Sequence, residues 1–300
     1  MKKRVAAIVV TYNRKVLLQE NIESLLAQTY RDYMDIIVVD NASTDGTKEY
    51  IASYIERQEI IYQNTGANIG GAGGFNYGIR YAAEHDYEFT WLMDDDCIPM
   101  PNALEEFIRW HNRLKGRYGF LSSKAIWTDG NLCLMNRHKI NIRKDVTDYS
   151  KPITEIITAT FVSFFLQTKM VYKVGLPIKE FFIWCDDLEY SRRVSKVSPG
   201  YLVTSSVAVH KCAMNIGSNI ALDSPDRIDR YNYAYRNEVY YFSHQGLAGY
   251  TYFFLRLAKH ILKVIFLAKD YKLKRLGIIF KATLRGIAFH PDIEYVNKEQ

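Results

Sequence analysis

The ten residues WLMDDDCIPM, 91 to 100, place three adjacent aspartates, Asp94, Asp95 and Asp96, at the end of an apolar run. Neighbouring carboxylates repel each other, more strongly where water is excluded. A solvated acidic turn is the ordinary origin of such a run. A divalent cation held by oxygen ligands is the alternative that makes three like charges tolerable where a buried strand ends. The stretch is also the last of a series. Apolar runs at 5–10, 36–39, 60–62 and 89–93 read as strands, and the segments 15–28, 44–55 and 74–84 between them read as helices. Strands alternating with helices predict an α/β fold with a mainly parallel sheet covered by helices on both faces. Ligands of such sheets sit just beyond the strand C-termini. Those positions hold Thr11, Tyr12 and Asn13, then Asp40 and Asn41, then the aspartate triplet.

A further helix is expected at 102–114. The stretch 119–210 is less regular, with apolar runs at 156–166 and 201–209, and from about 225 the chain turns helical and tyrosine-rich, then basic. No internal repeat or low-complexity linker interrupts it. The expected organisation is one α/β domain over 1–240 and a C-terminal amphipathic basic helical region over 241–300.

With 300 residues, 48% of them hydrophobic, the chain has the composition of a globular protein with a core rather than a disordered one. Its four cysteines, Cys97, Cys133, Cys185 and Cys212, form no CxxC pair. That spacing suggests neither a zinc site nor a secreted disulfide scaffold, and points to a reducing cytoplasm. The apolar run at 5–10 is too short for a signal peptide, and no stretch reaches the roughly 20 apolar residues of a membrane span. The net charge of +6 is uneven: residues 251–287 carry nine Lys/Arg against Asp270 alone, leaving the remainder slightly acidic. That pattern argues against a uniformly basic nucleic-acid binder.

Three other clusters carry chemistry. In NTGANIGGAGGFNYGI (64–79), Gly66, Gly70, Gly71, Gly73 and Gly74 precede a helix, where glycine amides can approach an anion. The spacing fits neither a dinucleotide fingerprint nor a P-loop, and a flexible turn reads equally well. In FFIWCDDLEYSRR (181–193), Asp186, Asp187 and Glu189 sit beside apolar residues, with Arg192 one helical turn on as an ion-pair partner. This is either a helix N-terminus favoured by its dipole or a general base near hydrophobic walls. His210 closes the apolar run YLVTSSVAVH; a strand-end histidine more often serves structure, yet a neutral imidazole beside the triplet suits manganese as well as magnesium.

Together AIVVTYNR, IIVVDNASTDGT, NIGGAGGFNYGI, WLMDDDCIP, FIWCDDLEYSRR and YAYRN resemble, in order and spacing, the inverting family 2 glycosyltransferases with the GT-A fold, over roughly residues 4 to 237. The GGAGGF and WxDD-type motifs look most like the bacterial branch containing galactofuranosyltransferases and rhamnosyltransferases. The resemblance implies that Asp94, Asp96 and His210 hold Mn²⁺ or Mg²⁺ on the donor diphosphate. It implies donor contacts from Thr11, Tyr12, Asp40, Gly73, Asp95 and Arg236, and a base at Asp187. Asn76 and Tyr77 stand where a basic residue is more usual after GGF. The implied donor is a UDP- or dTDP-linked sugar, and the implied acceptor a glycan or a polyprenyl-diphosphate-linked glycan.

In the tail, Arg256, Lys259, His260 and Lys263 fall on one narrow polar stripe, with apolar residues around the rest. A helix apolar over so much of its surface is packed or lies on lipid. The charge excess favours the inner face of an anionic membrane, bound peripherally; a packed tail or the seam of a homo-oligomer is the alternative. Two other functions stay open: a sugar-nucleotide nucleotidyltransferase, which needs no WxDD base, and a non-catalytic subunit of a polysaccharide assembly complex.

Overall fold

The computed structural model describes residues 4–297, so the extreme ends of the ranges 1–240 and 241–300 lie outside the described residues. Strand β1 (Val5–Thr11) is apolar on both faces, and Val5 to Val10 are at most 5% exposed. A strand buried on both faces needs a layer on each side. One comes from α1 (Lys15–Leu26), whose Leu18, Ile22 and Leu25 are buried at helical spacing. After β2 (Met34–Asp40), the helix expected at 44–55 is broken into α2 (Thr47–Tyr50) and α3 (Ala52–Glu56). The break falls at Ile51, which leaves helical geometry (φ −101°, ψ 10°) with its side chain fully buried.

Next come β3 (Ile61–Asn64), α4 (Gly70–Glu84) and β4 (Phe89–Asp94). Gly70, Gly71, Gly73 and Gly74 lie inside α4 rather than ahead of it, and only Gly66 of the five precedes the helix. A Cβ on Gly74 would stand 2.6 Å from Val10, and one on Gly78 2.4 Å from Ile8, so bare backbone lets α4 lie directly on β1.

The irregular middle contains β5 (Cys97–Pro99), α5 (Ala103–Arg113), β6 (Phe120–Ile126), the small hairpin β7 (Lys139–Asn141) and β8 (Lys144–Asp145), β9 (Ile153–Ile156), β10 (Phe164–Gln167), α6 (Thr168–Val174), α7 (Asp186–Ser195) and β11 (Gly200–His210). The large sheet runs β3-β2-β1-β4-β10-β6-β11-β5, with β9 also paired to β11. Its first four strands are mutually parallel. Strand β10 then enters antiparallel between β4 and β6, which the apolar run at 156–166 did not foretell.

Register positions the site. Thr11 pairs with Asp40, and Val10 with Asp94, so the ends of β1, β2 and β4 lie level on one rim. The chain turns at Asp95 and Asp96 and returns as β5 along β11, pairing Cys97 with His210. The amide of Lys211 donates to the carbonyl of Asp96 (2.8 Å), locking the end of β11 to the acidic turn.

The chain ends in α8 (Tyr231–Ser243), α9 (Gly246–Leu267) and α10 (Lys272–Ile287). Ile228, Tyr231, Tyr235, Val264, Ile278, Ile279 and Ala282 form their common core. The polar stripe expected on α9 is partly a packing edge: Arg256 forks onto Glu238 (2.8–3.2 Å), and His260 Nδ1 meets Tyr235 Oη (2.8 Å). Arg275 is likewise buried, bonded to Asp270 and the carbonyl of Ile220. The opposite side of α9 exposes Phe254, Leu255, Leu262 and Phe266, and α10 exposes Leu273, Phe280, Leu284 and Ile287. Among the described residues, no helix is long and apolar enough to cross a membrane.

Candidate active site

Two acidic clusters carry the candidate chemistry. In the first, Asp95 is buried, accepting from Thr11 Oγ1 (2.8 Å) and from Arg14 (3.2 Å). Asp96 is buried too, with Arg14 at 2.7 Å on one oxygen and His210 Nε2 at 3.2 Å from the other. Asp94 is only partly buried, yet burial and then the charges of Asp96 and Asp95 push its pKa up to about 7. Burial likewise lifts Asp95 to about 6 against the pull of Arg14. At Asp96 the same burial is outweighed by His210 and Arg14, so its carboxyl is held below the usual range. Burial opposes charge on His210, but the Asp96 bond, the Cys133 contact and the charges of Asp96 and Asp94 push it up to about 10. With Asp94 ionised, three carboxylates outnumber Arg14 and the imidazolium.

The orientation of His210 is set from behind. Asn136 donates its amide to Thr160 Oγ1 (2.8 Å) and turns its Oδ1 to His210 Nδ1 (2.7 Å). Nδ1 therefore carries the hydrogen, and in the neutral ring the lone pair lies on Nε2, facing Asp96. This donor set, hard carboxylate oxygens and one imidazole nitrogen around uncompensated charge, fits a hard or borderline dication.

The second cluster opens α7. Phe182, Trp184 and Cys185 all have positive φ (63°, 67° and 66°), a conformation unfavourable by about 1 kcal/mol or more for each non-glycine residue. Asn237 on α8 holds them there, its single amide nitrogen reaching the carbonyls of Phe181, Ile183 and Trp184 at 2.9–3.1 Å. Arg236 donates to the carbonyls of Glu180 and Phe181 and lies over the ring of Phe289. The loop docks on α4 where Ala72 N–H donates to the carbonyl of Phe182 (3.1 Å). Gly70 is needed there: its φ is +74°, and a Cβ would stand 2.2 Å from that carbonyl oxygen.

The result is a fixed start for α7. Asp186 is buried, and burial, then the charge of Asp187, raises its pKa well above the carboxylate range. The charge of Asp94 reaches Asp186 as well, so the two clusters lie close enough to interact electrostatically. Asp187 is partly exposed; burial lifts it to about 6, opposed by the bond from Leu188 N–H to its Oδ1 (2.7 Å). The ion pair expected of Arg192 belongs instead to Arg193, which forks onto Glu189 at 2.8 Å, while Arg192 reaches Gln245 (2.9 Å).

Of the remaining expected donor contacts, Asp40 is buried and accepts from Tyr62 Oη (2.6 Å) and the Ser43 amide (2.8 Å). Tyr12 is exposed at the same rim, and Gly73 is buried in the first turn of α4. Two of the amides there are already engaged, Gly70 by Asn68 and Ala72 by Phe182. Asn76 is buried against the carbonyl of Pro177 and Glu294. Sequence reasoning missed Arg14, Asn136 and Asn237. Arg14 and Asn237 lay inside the quoted motifs TYNR and YAYRN, whereas nothing local distinguished Asn136.

Residues 6–145 match the family described as Glycosyl transferase family 2. The chain carries a family 2 glycosyltransferase domain. The galactofuranosyltransferase GlfT1 of Mycolicibacterium smegmatis is 26% identical over 266 residues, 81% of this chain and 84% of its own length. Matches to two Rickettsia glycosyltransferases are shorter, covering 38% of this chain and 33% of theirs. Among solved structures, S. aureus TarS 1–349 in complex with UDP-GlcNAc superposes with a TM-score of 0.54 at 14% identity, over 95% of this chain and 73% of that one. The mannosyltransferase PcManGT of Pyrobaculum calidifontis, in complex with GDP-Man and Mn²⁺, gives 0.58 at 17% identity, over 96% and 76%. At such identities the likeness is one of fold, and the glycosyltransferase fold is GT-A.

Proposed function

We propose that this glycosyltransferase is metal-dependent and inverting, and moves a sugar from a nucleotide diphosphate to a hydroxyl of a growing, lipid-linked cell-surface glycan. Galactofuranose or rhamnose is the favoured sugar, and UDP or dTDP the nucleotide. The observation that carries the reading is the electrostatic proximity of the Asp94–Asp96 turn to the start of α7. The GlfT1 similarity supports galactofuranose, and the nucleotide sugars and Mn²⁺ held by TarS and PcManGT support the donor and metal classes.

Asp94, Asp96 and the Nε2 of His210 would hold Mn²⁺ or Mg²⁺. When bound, the ion neutralises the diphosphate and makes it a better leaving group. Asp40 and Tyr12 line the nucleoside side of the rim, with Thr11 acting through Asp95 and Gly73 contributing backbone alone. Arg236 is committed to loop carbonyls, so we assign it to positioning that loop rather than to phosphate. Asp187, near pKa 6 and partly open, is the base that takes the acceptor proton. Attack opposite the leaving diphosphate inverts the anomeric centre. The whole chain then works peripherally on an anionic membrane, where the exposed apolar side of α9 and α10 meets lipid beside a polyprenyl-linked acceptor.

The test is hydrolysis of UDP- and dTDP-sugars with manganese, which requires no known acceptor, followed by transfer to a synthetic lipid-linked glycan. Nucleotide release from one donor, abolished by EDTA, is the expected result. Pyrophosphorolysis of a sugar nucleotide without transfer would favour a nucleotidyltransferase instead.

A further inference from the structure

Behind His210, on the side away from Asp96, lie two thiols that the proposed reaction does not use. Cys133 Sγ is 3.6 Å from His210 Nδ1 and 3.9 Å from Cys212 Sγ, and the three ligand atoms lie within 4.8 Å of one another. For bonds of about 2.3 Å to sulfur and about 2.05 Å to nitrogen, two thiolates on tetrahedral zinc stand about 3.8 Å apart, and thiolate and imidazole nitrogen about 3.6 Å. The two edges that meet at Cys133 Sγ therefore match a zinc polyhedron to within about 0.2 Å, and the third, from Cys212 Sγ to His210, is at most 4.8 Å.

Neither thiol is there by the accident of a floppy loop. The amide of Cys133 donates to the carbonyl of Ala125 (3.1 Å), and Trp127 Nε1 donates to the carbonyl of Cys212 (2.8 Å). Asn215 then ties the two segments, accepting from Leu134 N–H (2.7 Å) and donating to the carbonyl of Leu132 (3.0 Å). Cys133 is buried and Cys212 partly exposed, which gives an ion a route in and a coordination position for water.

We propose that Cys133, Cys212 and His210 Nδ1 form a site for a thiophilic cation, zinc above all, which shares His210 with the oxygen-rich site in front. Thiolates select Zn²⁺ over Mn²⁺ and Mg²⁺, so the two sites discriminate by ligand type. Binding forms two Zn–S bonds and one Zn–N bond, breaks the hydrogen bond from His210 Nδ1 to Asn136 Oδ1, and releases two thiol protons and the Nδ1 proton of the imidazolium. The hydrogen left on the ring is then the one on Nε2, where it points at Asp96. A ring in that tautomer has no lone pair for the front site, so zinc at the back inhibits transfer. That consequence rests on the proposed role of His210; the site itself does not.

The decisive measurement uses the full-length protein, kept reduced with a phosphine and titrated with Co²⁺, then Zn²⁺. A thiolate-to-cobalt charge-transfer band saturating at one equivalent, displaced by Zn²⁺ and lost in Cys212→Ala and in Cys133→Ser, is expected. Cys212 is partly exposed and at the edge of the core, and its Sγ makes polar contacts with Cys133 and the carbonyl of Met214, so Cys212→Ala should keep its fold and its manganese-dependent turnover. No band in the wild type, or a band surviving in Cys212→Ala, overturns the site. Zinc inhibition of the wild type that Cys212→Ala relieves supports the tautomer coupling, and binding without inhibition overturns it. The cobalt spectrum decides the site even if no sugar donor is ever turned over.

Discussion

Asp187 combines partial exposure with a pKa of about 6, so at neutral pH it is ionised yet still basic enough to accept a proton. Only the ionised form is a base. With donor bound and pH lowered, kcat/KM should fall through about pH 6, losing tenfold per pH unit below it, and stay level above until another group titrates. Asp187→Asn should remove that acid limb and cut the rate by about 10² or more, with donor affinity near wild type by calorimetry. The same loss arising only from Asp186→Asn would move the base by one residue. In the triplet, Asp96→Asn should weaken nucleotide-diphosphate binding in manganese by about tenfold or more and leave metal-free binding nearly unchanged. Full turnover in excess EDTA would remove the ion from the reaction.

The 181–185 loop and the start of α7 are held by an element far along the chain. One side chain on α8, Asn237, answers three carbonyls of a loop in which Phe182, Trp184 and Cys185 have unfavourable backbone. Asn237→Ala should destabilise the chain by about 2–4 kcal/mol, since two buried N–H donors shared among three carbonyls are lost. It should also lower kcat more than it raises donor KM, because the donor rim at β1, β2 and β4 is built independently. An unchanged melting temperature would mean that the loop keeps its shape without the clamp. Gly70→Ala tests the same joint from the other side, where a methyl would collide with the Phe182 carbonyl.

Over the whole molecule, charge and exposed apolar area coincide on the C-terminal helices. Phe254, Leu255, Phe266, Leu273 and Leu284 are each more than 60% exposed, beside the exposed Lys259, Lys269, Lys272 and Lys281. A surface of that kind should bind vesicles containing anionic lipid more tightly than neutral ones. Each basic residue near the surface adds about 1 kcal/mol. Raised salt should release the protein, and Phe254→Glu with Phe266→Glu should abolish binding without unfolding it. Equal partitioning onto both vesicle types, with a salt-insensitive dimer in solution, would assign the face to a second copy. Truncation after 245 is a poor test, because α9 and α10 supply Val264, Ile278, Ile279 and Ala282 to the core beneath α8.

How much of this was legible beforehand follows from the range of the forces involved. Strand and helix periodicity, the crowding of Asp94, Asp95 and Asp96, and the charge of the tail are local properties. The alternation of β1, α1, β2, β3, α4 and β4, and the rim at their ends, could therefore be read from neighbours in the chain. The middle resisted that reading because β10 is placed by the strands that flank it, not by its own pattern. The tail stripe resisted it because Arg256 and His260 turn toward α8, where a carboxylate and a phenol hydroxyl meet them better than lipid would. The sequence by itself determined which acids crowd together and which segments alternate, since adjacent residues need no fold to meet. Only the tertiary structure decided what surrounds His210. Asp96 lies in front of it, Asn136 orients it, and Cys133 comes to rest beside Cys212, 79 positions away. Closing such distances loses chain entropy that only the assembled core offsets, so no local pattern records them.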